Sequence, residues 1–143
     1  MKISSKSKCA LRITVDIAEN STEAPVSLRD VSARQNISVK YLEQIATDLV
    51  RARLLHSVRG AQGGYHLANM QCSVGDVLRA VDGDYLPAAS ENDEPPQISA
   101  FWNGLHKTVE AYVNGILIAD LAKRPTTSVN SYAPSAPKPF LLD

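Results

Sequence analysis

Cysteine is scarce in this 143-residue chain, which has only Cys9 and Cys72, far apart. Two thiols so separated make no metal-gripping or redox spacing, and no structural disulfide is expected of a chain in a reducing compartment. No stretch approaches the roughly 18 consecutive apolar residues that a membrane helix needs. The N-terminal "MKISSKSKCALRITVDIAEN" lacks the unbroken apolar core of a signal peptide. The expectation is therefore a cytoplasmic protein with no membrane partner. Histidine is also sparse: His56, His66 and His106 fall in different predicted elements, with no catalytic motif around any of them. His66 reads as a strand residue rather than a ligand, and an enzyme is not expected.

Net charge is absent as well, but only in the sum. Residues 1–70 hold ten Lys/Arg and six Asp/Glu, while residues 71–143 hold five and nine, so +4 meets −4. Such asymmetry points the N-terminal half toward an anionic partner, although chance segregation of solvated charge would look the same. With 44% hydrophobic residues, the chain can bury one ordinary core.

The elements give the asymmetry a location. A first helix is predicted from about Ser4 to Glu19, with Ala10, Leu11, Ile13, Thr14, Ile17 and Ala18 at helical spacing and Lys2, Lys6 and Lys8 crowding its front. Ser27 and Asp30 have the spacing of a capping box, with Val26 and Val31 as a hydrophobic staple, opening a short helix from about Leu28 to Gln35. Asn36 is the turn. Ser38 caps a second helix that runs to about Arg53 and presents Leu42, Ile45, Ala46, Leu49 and Val50 on one side. Two helices joined by so short a turn fit a helix-turn-helix, and equally an ordinary helical hairpin.

The stretch "SVRGAQGGYHLA" separates the two. Weak strand alternation before and after Gly60, Gly63 and Gly64 predicts a β-hairpin, with glycine permitting the tight reversal. A phosphate-cradling glycine loop would have to open a helix, and this run does not. A hairpin directly after a helix-turn-helix is a wing, and its loop holds out Arg59 and Gln62 toward a groove or a phosphate.

Together "MKIS", "SLRDVSARQNISVKYLEQI", "SVRGAQGGYHLA" and "GDVLRAVDG" resemble the Rrf family of bacterial winged-helix transcription regulators. The resemblance runs from residue 1 to about residue 83 and resumes more loosely in the last long helix. It implies a mainly α fold with a small β-hairpin, and a homodimer that binds double-stranded DNA at a partly palindromic operator, usually to repress. Many members carry three cysteines in the loop before the last helix, which hold an iron–sulfur cluster. Here that loop reads "DGDYLPAASENDEPPQ", so no cluster or other cofactor is expected. The resemblance places a glycine where this chain has Arg53, which predicts strain in that turn.

On the second helix, the side away from its apolar stripe offers Ser38, Lys40, Tyr41, Gln44, Thr47 and Arg51, and Glu43 lies beside them. Gln44 can pair bidentately with adenine, and Glu43 can accept from cytosine N4. Lys40, Arg51 and the N-terminal lysines suit phosphates. Tyr41 fits equally as a packing residue, and Lys40 and Arg51 as solvated surface.

Further on, Ser73 caps a short helix with Asp76 at its third position. After Pro95-Pro96 a long helix is predicted from about Ile98 to Asn114. Ile98, Trp102, Leu105, Val109, Tyr112 and Ile116 alternate spacings of four and three, the seam of a coiled coil, which Phe101, Val113 and Leu117 widen. A second copy of the chain is expected to cover it. The predicted organisation is a DNA-binding domain at 1–83, an acidic loop at 84–97, a dimerisation helix region at 98–124, and a flexible Pro- and Ser-rich tail at 125–143. A winged-helix protein-interaction module, served by the acidic C-terminal half, is the rival reading, and salt separates the two because DNA binding weakens steeply as salt rises. Another is a thiol sensor acting through Cys9, whose neighbouring lysines would favour the thiolate. The effector, whether small molecule or protein, is not legible.

Overall fold

A computed structural model describes residues 1–88 and 93–123. Six helices and one hairpin follow in order: α1 Ser5–Asn20, α2 Leu28–Gln35, α3 Val39–Arg51, β1 Leu55–Val58, β2 Gly64–Leu67, α4 Val74–Asp82, α5 Pro96–Asn114 and α6 Ile118–Lys123. The mainly helical winged fold is as expected. The predicted tail and residues 89–92 of the predicted acidic loop lie outside the described residues.

Side-chain oxygens set the helix starts. Ser4, Ser27, Ser38 and Ser73 each accept from the backbone N–H three residues on, satisfying a donor the helix cannot. Only Ser73 completes the reciprocal box, with the Asp76 carboxylate accepting from the Ser73 N–H at 2.9 Å. The box expected at Ser27 forms one half only: Ser27 Oγ accepts from Asp30 N, while the exposed Asp30 side chain makes no return bond. The staple residues Val26 and Val31 are both buried. Asn36 closes α2 in the left-handed conformation (φ 54°), which asparagine tolerates, and so produces the turn into α3.

Arg53 also has a positive φ, 62°. A non-glycine residue in this left-handed conformation carries the strain expected of the turn after α3, at a cost of roughly 1–2 kcal/mol.

The core gathers Ala10, Ile13 and Ile17 of α1, Val31 of α2, Leu42, Ile45 and Leu49 of α3, and Val77 and Leu78 of α4. Leu11 and Ala18, predicted for the same stripe of α1, are only half-buried; Thr14, also predicted there, is buried, and so is Asp16, which was not. The hairpin pairs Leu55 with Leu67, His56 with His66, Ser57 with Tyr65, and Val58 with Gly64. Its second strand also pairs outward with the residue before the α2 cap: Val26 N donates to Tyr65 O (3.0 Å) and Tyr65 N to Val26 O (2.8 Å). That pair of hydrogen bonds fixes the wing to the helix-turn-helix.

Two glycines make this geometry possible. Gly60 turns the wing tip at φ +116°, beside open space. Gly64 is needed for close approach, because a Cβ there would stand 2.3 Å from the Val26 carbonyl oxygen. Gly64→Ala is expected to lose on the order of 2 kcal/mol or more, measured as a shifted urea midpoint, since the clash is with backbone. A Gly64→Ala chain as stable as wild type would show that the wing docks some other way.

A second backbone pairing joins the start of α4 to the link between α5 and α6: Val74 N donates to Ile116 O, and Ile118 N to Cys72 O, both at 2.9 Å. Gly115 ends α5.

Candidate nucleic-acid interface

α3 is strongly two-sided. Leu42, Ile45, Ala46 and Leu49 are fully buried, and Ser38, Lys40, Glu43, Gln44, Thr47 and Arg51 are exposed. Lys40, Glu43 and Gln44 have no side-chain hydrogen bond or ion pair among the described residues, so their polar atoms are free for a ligand. Ser38 Oγ accepts from Tyr41 N (3.2 Å), which leaves its proton to donate. Tyr41 is half-buried and packs against the core, the packing role that the sequence left open.

On the flank, Asp48 collects two of the expected phosphate cations. Lys6 Nζ lies 2.6 Å from Asp48, and Arg51 lies 3.7 Å from it. Lys6 therefore ties α1 to α3, and to meet a phosphate it would have to leave this partner. Lys2 and Lys8 are exposed. On the wing, Arg59 and Gln62 are exposed and unpaired among the described residues. Two cations that the sequence reading passed over, Arg29 in the first turn of α2 and Arg53 after α3, are exposed too. Nothing in their local pattern distinguishes them from solvated surface.

A buried ion pair holds the helix-turn-helix against α1. Asp16, 2% exposed, takes Arg34 in a fork, with Nε at 3.0 Å and Nη2 at 2.7 Å, and accepts from Gln35 Nε2 at 2.8 Å. Arg12 Nη2 donates to the Gln35 carbonyl at 2.6 Å, capping the end of α2. Burial pushes the Asp16 carboxyl up, but the hydrogen bonds from Arg34 and Gln35 and the Arg34 charge outweigh it and hold the pKa below the usual range. The signal was present in the sequence as a carboxylate on the apolar face "RITVDIAEN".

α5 departs furthest from a closed monomer. It packs chiefly on α4, and Ile98, Phe101, Trp102 and Leu105 are 36–46% exposed, far more than residues of their size in a core. Val109 and Tyr112 are half-buried, and Tyr112 packs against the core. Ile116 corrects the predicted seam. It lies beyond Gly115, is 7% exposed, and belongs to the monomer core, because the chain has already turned toward α6. Val113 is buried as well. The loop before α5 is anchored by Tyr85 (1% exposed) and Pro87, whose carbonyl lies 2.8 Å from His106 Nδ1.

Cys9 is half-buried against the core, without a hydrogen-bond partner among the described residues. Cys72 is fully buried, and burial, with the Asp76 charge, pushes its thiol up to about 12. No helix among the described residues is long and apolar enough to cross a membrane.

Residues 3–124 match the model of the Rrf2 family, described as an iron-dependent transcriptional regulator. The chain is 34% identical over 124 residues to the HTH-type transcriptional regulator CymR of Bacillus subtilis, covering 85% of this chain and 90% of that one. It is 35% identical over 129 residues to the HTH-type transcriptional regulator IscR of Serratia proteamaculans, covering 85% and 79%. The structure of CymR, the global cysteine regulator of B. subtilis, superposes with a TM-score of 0.79 at 33% identity, covering 85% of this chain and 96% of that one. A thiolate-held iron–sulfur cluster does not fit the residues here. The sequence has two cysteines, one of them sealed in the core, and among the described residues no three His, Cys, Asp or Glu gather to hold a metal.

Proposed function

The chain belongs to the Rrf2 family of helix-turn-helix, DNA-binding transcription regulators, and from that premise we propose that it works as a homodimeric repressor on a pseudo-palindromic operator. The observation that carries the reading is the set of exposed, uncommitted polar side chains: Lys40, Glu43 and Gln44 on α3, with Arg59 and Gln62 on the wing. The front of α3 enters the major groove, where Gln44 reads adenine and Glu43 accepts from cytosine. Ser38, Lys40, Arg51, Lys2 and Lys8 meet phosphates, and Lys6 joins them on releasing Asp48. The wing carries Arg59 to the adjoining groove or backbone. The protein acts by binding rather than catalysis, in the cytoplasm, and without a cluster. Its effector is a small molecule or a partner protein.

Ile98, Phe101, Trp102, Leu105 and Val109 supply the dimer seam, since exposed apolar side chains in one helical stripe are stabilised by a matching copy. Gln44→Ala and Arg59→Ala are each expected to weaken operator binding by about 1–3 kcal/mol and to relax sequence preference, while Lys40→Ala weakens specific and random DNA alike and lowers the salt slope by about one. Titrations at several salt concentrations measure all three. Wild-type affinity in every variant, or binding indifferent to salt, would sink the assignment and favour a protein-interaction module.

A further inference from the structure

Two of the chain's three histidines, His56 and His66, stand directly opposite each other on β1 and β2. Opposed residues in an antiparallel pair project to the same face with Cβ atoms about 5 Å apart. Their rings lie near-parallel, 16° between planes, with centroids 6.4 Å apart. Both line a cleft of about 620 Å³ between the hairpin, the end of α1 and α6. Short side chains (Ala18, Ala68, Ala119 and Ala122) leave it open, and Glu19 stands on its wall. Neither imidazole makes a hydrogen bond to any described group, so all four ring nitrogens remain available.

We propose that His56 and His66 together form a mononuclear site for a late first-row transition ion, such as Zn²⁺, on the flank of the wing. Neutral imidazole is a preferred ligand of these ions. Nitrogens at the ~2.0–2.1 Å of a zinc bond place two ring centroids about 5 Å apart at the tetrahedral angle. Side-chain rotation into the open cleft supplies that closure without moving the strands. No third His, Cys, Asp or Glu completes the set among the described residues, so water fills the remaining positions, and binding is weak and reversible rather than structural. The ion cross-links the two strands whose loop carries Arg59 and Gln62, stiffening the wing. The site uses neither cysteine nor any residue assigned to DNA, and it stands whether or not the operator reading does.

Isothermal titration of Zn²⁺ into the chelator-stripped full-length protein tests it. One ion per chain is expected to bind saturably, and His56→Ala and His66→Ala are each expected to abolish that binding while circular dichroism shows an unchanged fold. His106→Ala, removing the remaining histidine, is expected to leave it intact. Absence of saturable uptake, or uptake that survives in the His56→Ala/His66→Ala double variant, overturns the proposal.

Discussion

Leu105→Asp is expected to sediment as a monomer and to lose operator affinity by roughly 10²–10⁴-fold, the gain that linking two half-site contacts supplies. Leu105 is 36% exposed on the free face of α5, so a charge there costs the isolated chain little. Across a two-fold axis the same residue enters the interface twice, and each unpaired carboxylate removed from water costs several kcal/mol. The variant keeps every side chain assigned to DNA, so its defect reads assembly alone. Two half-sites about one helical turn apart, ~34 Å, require both recognition helices at once. Analytical ultracentrifugation and operator titration of one preparation make the measurement, with thermal unfolding as the control for fold. A Leu105→Asp protein that stayed dimeric and bound normally would place the interface elsewhere.

Asp16→Ala is expected to destabilise the fold by about 2–4 kcal/mol, toward the low side of the 3–5 kcal/mol for breaking a buried pair, because Arg34 keeps part of its hydration. The Arg34 side chain is 40% exposed against 2% for Asp16. Loss of the carboxylate also strands Gln35 and releases the end of α2, so operator affinity falls with stability. The pH dependence has a definite direction. The folded carboxyl titrates below its unfolded value of about 3.9, so its contribution is complete at pH 6–7 and is lost as the pH falls below about 4 toward the folded value. Asp16→Asn should lack that acid-dependent loss at this site. Urea unfolding from pH 3 to 7 on wild type, Asp16→Asn and Asp16→Ala compares them, and a loss under about 0.5 kcal/mol in Asp16→Ala at pH 7 would sink the claim that this pair orients the helix-turn-helix.

Much of the candidate site was legible because local chemistry alone specifies it. Serine caps and helical spacing of Leu42, Ile45, Ala46 and Leu49 determine which side of α3 faces water, and so that Lys40, Glu43 and Gln44 are exposed. The glycines of "GAQGG" mark the wing because backbone sterics need no partner. Other features depend on residues distant in sequence, and only the tertiary structure decided them. Asp30 spaces like a box residue but makes no return bond, whereas Asp76 does. Lys6 looks free until α3 brings Asp48 beside it. Ile116 keeps the seam's spacing, yet the end of α5 at Gly115 turns it into the core. His56 and His66 look unrelated until the register of the hairpin sets them face to face. The sequence by itself determined the elements, their caps and their polar faces, since these follow from interactions within a few residues. The pairing of those faces, the burial of Asp16 and the exposure of α5 were decided by packing, because a side chain's environment is set by whichever distant segment arrives beside it.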